Sequence, residues 1–267
     1  MNKMRFLTVV FLLLGVICTA DAGKIKVALA CSSACEGYRQ NNPDEDCDPR
    51  RVWGWGEVIG GYFNGNVEIL NFGKSGRSTL TFRSQGWWKN LLDSKPDYVI
   101  MALGANDANG GPNGTDVRTF RENLRRFYRE AEAVGAKTIF VTLNQSMFRG
   151  SNDEPVFRNG KVMRTDRAPY SQAIRETAKE FNVPCLDLFV EQAKAMEEIG
   201  EAECAGFYCI QRLSDRYDPS HTNIMGAHFL ANIIATELSK AKTPLAKEIN
   251  KKRLWKYKLT VKKPSKK

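Results

Sequence analysis

Histidine is nearly absent from this chain. Its 267 residues include only His221 and His228. No H-E-x-x-H run occurs, and two imidazoles argue against a catalytic zinc site. No G-x-S-x-G stretch is present, which argues against an ordinary α/β-hydrolase elbow. Gly73-Lys74-Ser75 imitates the end of a phosphate-binding loop, but position 68, where that motif needs glycine, holds Glu68. There is no internal repeat and no Pro/Ser-rich linker before the C-terminal segment. The apolar run from Phe6 to Ile17 is too short to cross a bilayer comfortably.

What is present starts with a leader-like segment. Lys3 and Arg5 precede the apolar run, and Ala20-Asp21-Ala22 forms an A-x-A cleavage site. A signal peptide over residues 1–22 is expected, with Gly23 as the mature start and a secreted or periplasmic location. An uncleaved anchor is the alternative. Cys18 suggests a lipoprotein, but the bulky Ile17 before it argues against that processing. Removal of the leader leaves six cysteines, an even number that suits disulfides in an exported chain. Cys204–Cys209 is the first expectation and Cys35–Cys47 the second, with free buried thiols as the alternative for Cys31 and Cys185.

The formal net charge of +10 is concentrated at one end. Residues 240–267 hold twelve Lys/Arg and one Glu, so residues 23–239 carry about −2. Nucleic-acid binding needs clustered charge on a folded face, so no nucleic-acid partner is expected. Residues 240–267 read as a basic tail, with an anionic polysaccharide or membrane surface as a minority role. With 42% hydrophobic and 26% charged residues, the chain is ordinary for a globular domain.

Apolar runs and helical patterns alternate. Ile25–Ala30, Val67–Asn71, Tyr98–Leu103, Thr138–Leu143 and Val183–Phe189 read as buried strands. Between them, residues 116–134 place Val117, Phe120, Leu124, Phe127, Ala131 and Val134 on one helical face. Residues 169–181 and 222–238 are further helices, and 53–63 and 84–92 shorter candidates. Such alternation predicts a three-layer α/β/α sandwich with a parallel sheet as one domain over residues 23–239. Ligands then bind beyond the carboxyl ends of the strands.

Four segments should meet at that edge: Ala30-Cys31-Ser32-Ser33, Asn71 through Ser78, Leu103-Gly104-Ala105-Asn106-Asp107, and Asp218-Pro219-Ser220-His221. They offer a hydroxyl, close-approach glycines, an amide and an Asp/His pair, the parts required for acyl transfer. A serine at neutral pH needs an adjacent base, which makes His221 the candidate and leaves His228 to packing or surface. Asp215 rivals Asp218 as the orienter. Asp107 is read as support for the turn around Asn106.

In this order the blocks resemble the SGNH (GDSL) hydrolase superfamily, and within it the rhamnogalacturonan acetylesterase-like branch. Gly54-Trp55-Gly56-Glu57 belongs to the same pattern, and the likeness runs over about residues 24–239. The resemblance implies a flavodoxin-like α/β/α fold with a five-stranded parallel sheet and a serine esterase that acts through an acyl-enzyme without cofactor or metal. It implies Ser33 as nucleophile, His221 as base, Asp218 as orienter, and an oxyanion hole from Ser33, Gly76 and Asn106. The family's Gly-Asp-Ser reads Cys31-Ser32-Ser33 here, which leaves Ser32 as an alternative nucleophile, although register with residues 27–30 favours Ser33.

Trp53, Trp55, Trp87 and Trp88 are candidates for sugar stacking or for core packing. Arg77 and Trp55 are taken as substrate-binding, Arg77 because its planar fork suits a uronate carboxylate. The expected substrate is an O-acetylated polysaccharide or oligosaccharide, with rhamnogalacturonan-type pectin as the leading candidate. The enzyme is expected to act as a monomer. A lipase or arylesterase of the same superfamily and a non-catalytic carbohydrate-binding protein are the alternatives.

Overall fold

The computed structural model describes residues 23–41, 47–151, 154–162, 165–211 and 216–255. The expected leader and Asp215 lie outside them. Five parallel strands form the central sheet: Ile25–Cys31 (β1), Val67–Asn71 (β2), Tyr98–Ala102 (β3), Lys137–Val141 (β4) and, after two small strands Phe148–Arg149 (β5) and Pro155–Val156 (β6), Cys185–Leu186 (β7). Their order is β2-β1-β3-β4-β7, the 2-1-3-4-5 order of a flavodoxin-like doubly wound sheet.

Among the described residues ten α-helical segments accompany the strands. The first five are short: Tyr38–Asn41 (α1), Trp55–Val58 (α2), Thr79–Ser84 (α3), Trp87–Asp93 (α4) and Ala105–Ala108 (α5). The others are Val117–Ala133 (α6), Ala168–Glu180 (α7), Leu188–Ile199 (α8), Glu201–Ala205 (α9) and Ile224–Lys240 (α10).

Side-chain alternation along the strands divides the core into two layers. Val27, Leu29, Ile100, Ile139, Val141 and Leu186 face α2, α8 and α10. Ala28, Ala30, Val99, Met101 and Phe140 face α3, α4, α6 and α7. The helical face expected on α6 is buried over its middle, where Phe120, Leu124, Phe127 and Ala131 are fully buried, whereas Val134 lies past the helix end and is exposed. Burial of each large side chain is worth about 1.5–3 kcal/mol. Asp116 accepts from Thr119 N at 2.9 Å to start this helix, and Gly135, at φ +85°, follows its end.

Three expectations change. The fifth strand was expected to run to Phe189, but it ends at Leu186, and Asp187 caps α8 from Leu188 onward. Residues 217–222 are not a loop or the start of the last helix. Tyr217–Thr222 (β9) pairs antiparallel with Tyr208–Ile210 (β8). Cys35 lies against Cys31 rather than Cys47, and Cys204 and Cys209 are not bonded to each other. The Cys204 thiol points instead to Met196 O at 3.4 Å.

The first part of the basic segment docks on the domain. Leu245 and Ile249 are buried, Ile249 bridges to Phe63, and Asn250 N donates to Tyr62 O at 2.9 Å. Among the described residues no helix is long and apolar enough to cross a membrane.

Candidate active site

β1 ends at Cys31 and the chain turns at once. Ser33–Cys35 forms one 3-10 turn, held by Cys35 N to Ser32 O at 3.2 Å and Glu36 N to Ser33 O at 3.4 Å. Ser32 is buried, while Ser33 is half-buried and borders a cavity of about 600 Å³. That exposure makes Ser33, not Ser32, the hydroxyl that a ligand in this cavity meets.

Glycines let three other segments press against this turn. A side chain at Gly54 would run into Glu36 O, and one at Gly56 into Cys35 O. A side chain at Gly73 would approach the Glu36 backbone to 2.9 Å. The Gly54-Trp55-Gly56 motif is thus a backbone support. Trp55 itself is 1% exposed, in the core layer under α10. Its expected substrate-binding role is withdrawn, because its ring does not reach the cavity.

The segment after β2 is fastened to the same turn. Asn71 Nδ2 donates to Cys35 O at 2.7 Å, and its Oδ1 accepts from Gly73 N at 2.9 Å. Glu36, 3% exposed, accepts from Lys74 Nζ at 2.9 Å, from Ser75 N at 2.7 Å and from Ser75 Oγ. The Lys74-Ser75 pair that imitated a phosphate loop is therefore the partner of a buried carboxylate. Tyr38 OH donates to Ser33 O at 3.1 Å and lies 3.2 Å from Ser75 Oγ. Burial pushes its phenol well above the usual tyrosine range. Gly76 follows in the left-handed region at φ +73°, which suits glycine. Among the described residues the N–H groups of Ser33 and Gly76 have no protein partner.

Arg77 turns away from the role expected of it. Its Nη1 donates to Ser75 O at 2.9 Å and its carbonyl accepts from Asn106 Nδ2 at 3.0 Å. The side chain is not on the cavity wall. Its contribution is to fix Asn106 through its backbone, and the expected carboxylate contact is withdrawn. Arg51, Tyr38, Val52, Ile210 and Gln211 line the wall instead.

Asn106 sits in α5, behind Gly104 at φ +133°. A side chain at Gly104 would approach Phe120 to 2.8 Å and Leu143 to 2.9 Å, so glycine is required there for both reasons. Asp107, fully buried, accepts from Thr79 N at 2.9 Å, Thr79 Oγ1 at 2.5 Å and Thr115 Oγ1 at 2.7 Å. Burial raises its pKa despite these bonds, and it ties α5 to the start of α3.

His221 enters from β9. Its Nδ1 is 2.7 Å from Asp218 Oδ2, and Asp218 Oδ1 accepts from Ser220 N at 2.8 Å and His221 N at 3.2 Å. Burial pushes the Asp218 carboxyl up, but the bond to His221 and these backbone donors outweigh it and hold the pKa below the usual range. Ser33, Gly76, Asn106, Asp218 and His221 all line the one cavity. No hydrogen bond joins Ser33 Oγ to the His221 ring among the described residues. Such bonds commonly tighten only with substrate in place. A smaller cavity of about 210 Å³ shares Ser33, Asn106 and His221 and adds Ser32, Asn144 and Arg167.

His228 belongs elsewhere: Tyr62 OH donates to its carbonyl at 3.1 Å and lies 3.3 Å from its Nδ1. Trp88 packs on Phe127, and Trp53 lies under the Arg39 guanidinium at 3.4 Å. Among the described residues no cluster of three or more His, Cys, Asp or Glu side chains is placed to hold a metal ion. Glu36 and Tyr38 were not singled out in the sequence. Their local signal is an acid and a phenol three and five residues after Ser33.

Comparison with known proteins bears on the family rather than on the individual site residues. The model of the GDSL-like Lipase/Acylhydrolase family matches residues 32–207. The rhamnogalacturonan acetylesterase RhgT of Bacillus subtilis (strain 168) is 29% identical over 75% of this chain and 87% of its own. The probable rhamnogalacturonan acetylesterase YesY of the same strain is 27% identical over 77% and 92%. The crystal structure of the Bacillus subtilis protein YxiM has a TM-score of 0.66 at 23% identity. That match covers 81% of this chain and 56% of the other, so this chain spans little more than half of that longer protein. The chain belongs to the GDSL-like lipase/acylhydrolase family and is a carboxylic ester hydrolase of the SGNH type.

Proposed function

We propose that this chain is an exported acetylesterase that removes O-acetyl groups from a carbohydrate, of the rhamnogalacturonan type, through an acyl-enzyme on Ser33. One observation carries the reading. The Asp218–His221 couple borders the same cavity as Ser33, Gly76 and Asn106, and among the described residues the Ser33 and Gly76 N–H groups have no protein partner. Asp218 accepts from Nδ1 of His221, which turns Nε2 into the base. Ser33 Oγ attacks the ester carbonyl as Nε2 takes its proton. The oxyanion is held by Ser33 N–H, Gly76 N–H and the second Nδ2 hydrogen of Asn106, the first being spent on Arg77 O. The His221 imidazolium then protonates the departing sugar oxygen, which leaves as a hydroxyl. Water, deprotonated by the same nitrogen, releases acetate and restores Ser33.

The substrate class rests on the names of the two Bacillus subtilis relatives and on a wall that mixes Val52 and Ile210 with Tyr38, Arg51 and Gln211. Export rests on residues 1–22. The test is acetate release from acetylated rhamnogalacturonan beside fatty-acid release from lysophospholipid, with Ser33→Ala as control. Acetate release lost in the variant is expected. Undiminished release by Ser33→Ala, or turnover of the lipid alone, overturns the proposal.

A further inference from the structure

We infer that Cys31 and Cys35 form a disulfide that positions the nucleophile, a covalent brace across the turn that carries Ser33. This rests on Ser33 being the nucleophile. The two side chains face each other, and the Cα atoms are 6.1 Å apart, inside the range of about 4.4–6.8 Å that a disulfide spans. Both residues are at most 1% exposed. The ring they close holds only Ser32, Ser33 and Ala34 between its ends.

The turn has little else of its own. Ser32 makes no side-chain capping bond, and the two backbone bonds inside the turn are 3.2 and 3.4 Å long. Cys31 and Ser32 also stand where the resembled family carries glycine and aspartate. The brace joins both ends of the turn to fixed points. Cys31 O accepts from Lys74 N at 3.1 Å, and Cys35 O accepts from Asn71 Nδ2 at 2.7 Å. Ser33 contributes its hydroxyl and its N–H to the reaction, so a loosened turn displaces the nucleophile and an oxyanion donor together.

Formation is thiol–disulfide exchange. The Cys31 and Cys35 thiols give two protons and two electrons to a partner disulfide, either an oxidoreductase or glutathione disulfide. That partner leaves as two thiols. An exported chain meets such partners. Cys31 and Cys35 are thus positioning residues, and the enzyme is sensitive to reductants although its nucleophile is a serine.

Protein purified from an oxidising compartment is digested with trypsin without reduction. The peptide of residues 27–39 is expected lighter by two hydrogen atoms than its reduced form. In Cys31→Ser/Cys35→Ser, kcat and the rate of Ser33 labelling by a fluorophosphonate are expected to fall about 10- to 100-fold, as for a misplacement near 1 Å, with KM little changed. Cys185→Ser, on the sheet edge strand β7, is expected to keep both rates. Should the double variant not fold, the wild type treated with a phosphine reductant takes its place. Labelling then slows at unchanged circular dichroism and recovers with glutathione disulfide.

A reduced 27–39 peptide in the active enzyme overturns the inference. So does a folded double variant, or a reduced wild type, that keeps wild-type labelling and kcat and loses only thermal stability. A wild type that carries the linked peptide but is never labelled at Ser33 refutes the nucleophile assignment instead, and the positioning role with it.

Discussion

Asn106→Ala separates the oxyanion pocket from the rest of the site. Asn106 Nδ2 has two hydrogens. One is held by Arg77 O at 3.0 Å, which fixes the amide plane and leaves the other directed at the cavity. The Ser33 and Gly76 N–H groups remain in the variant, so part of the oxyanion stabilisation survives. Loss of one such donor costs about 100- to 1000-fold in kcat, or about 3–4 kcal/mol of transition-state stabilisation. KM should change little, because the ground-state carbonyl uses this donor weakly. The structural cost is smaller. Losing the bond to Arg77 O removes about 1 kcal/mol, about 2–4 °C in melting temperature for a chain of this size. The assay is steady-state hydrolysis of an aryl acetate and of an acetylated oligosaccharide, with thermal unfolding of the same samples. Turnover within about threefold of wild type, a barrier change well under 1 kcal/mol, would refute the assignment of Asn106 as a donor. Asn106→Asp should be worse than alanine, since it sets a carboxylate against both the Arg77 carbonyl and the oxyanion.

Three further outcomes follow from other contacts. Asp218→Asn removes the acceptor that fixes the His221 tautomer and is expected to lower kcat about 1,000- to 10,000-fold with the fold intact, read in the same hydrolysis assay. Gly54→Ala drives a methyl group toward Glu36 O and should cost about 1–3 kcal/mol of stability and slow turnover, whereas Gly65→Ala, with nothing near it, should do neither. Burial holds the His228 imidazole below the usual histidine range. The unfolded chain therefore binds the extra proton first, so this contribution to stability is complete above the ordinary value of about 6.5 and shrinks as pH falls below it. His228→Gln should flatten that part of the melting-temperature profile between neutral and mildly acidic pH.

The sheet was largely readable because β1, β3 and β4 are apolar runs covered on both faces, with β2 a half-buried edge strand, and the α6 stripe from Phe120 to Ala131 is the face that is buried. The boundary at residue 187 was not. Leu186-Asp187-Leu188-Phe189-Val190 is apolar enough for a strand, and only the Asp187 side chain bonding Val190 N shows that a helix has begun. The β8–β9 pairing is three residues against six with an irregular register, too short to leave a pattern. The site segments could be placed because each follows a strand end or carries scarce histidine. Trp55 misled because a tryptophan suits sugar stacking as well as a core, and here its flanking glycines let backbone approach backbone while the ring is buried. Glu36 and Tyr38 meet Ser75 across 39 and 37 positions, a closeness that folding alone creates.

The most direct measurement is mass-spectrometric location of a fluorophosphonate adduct on the folded protein. One adduct per chain on Ser33, abolished by His221→Ala, is expected. An adduct on Ser32 or at a site remote from His221, or none on active enzyme, would contradict the acyl-enzyme assignment.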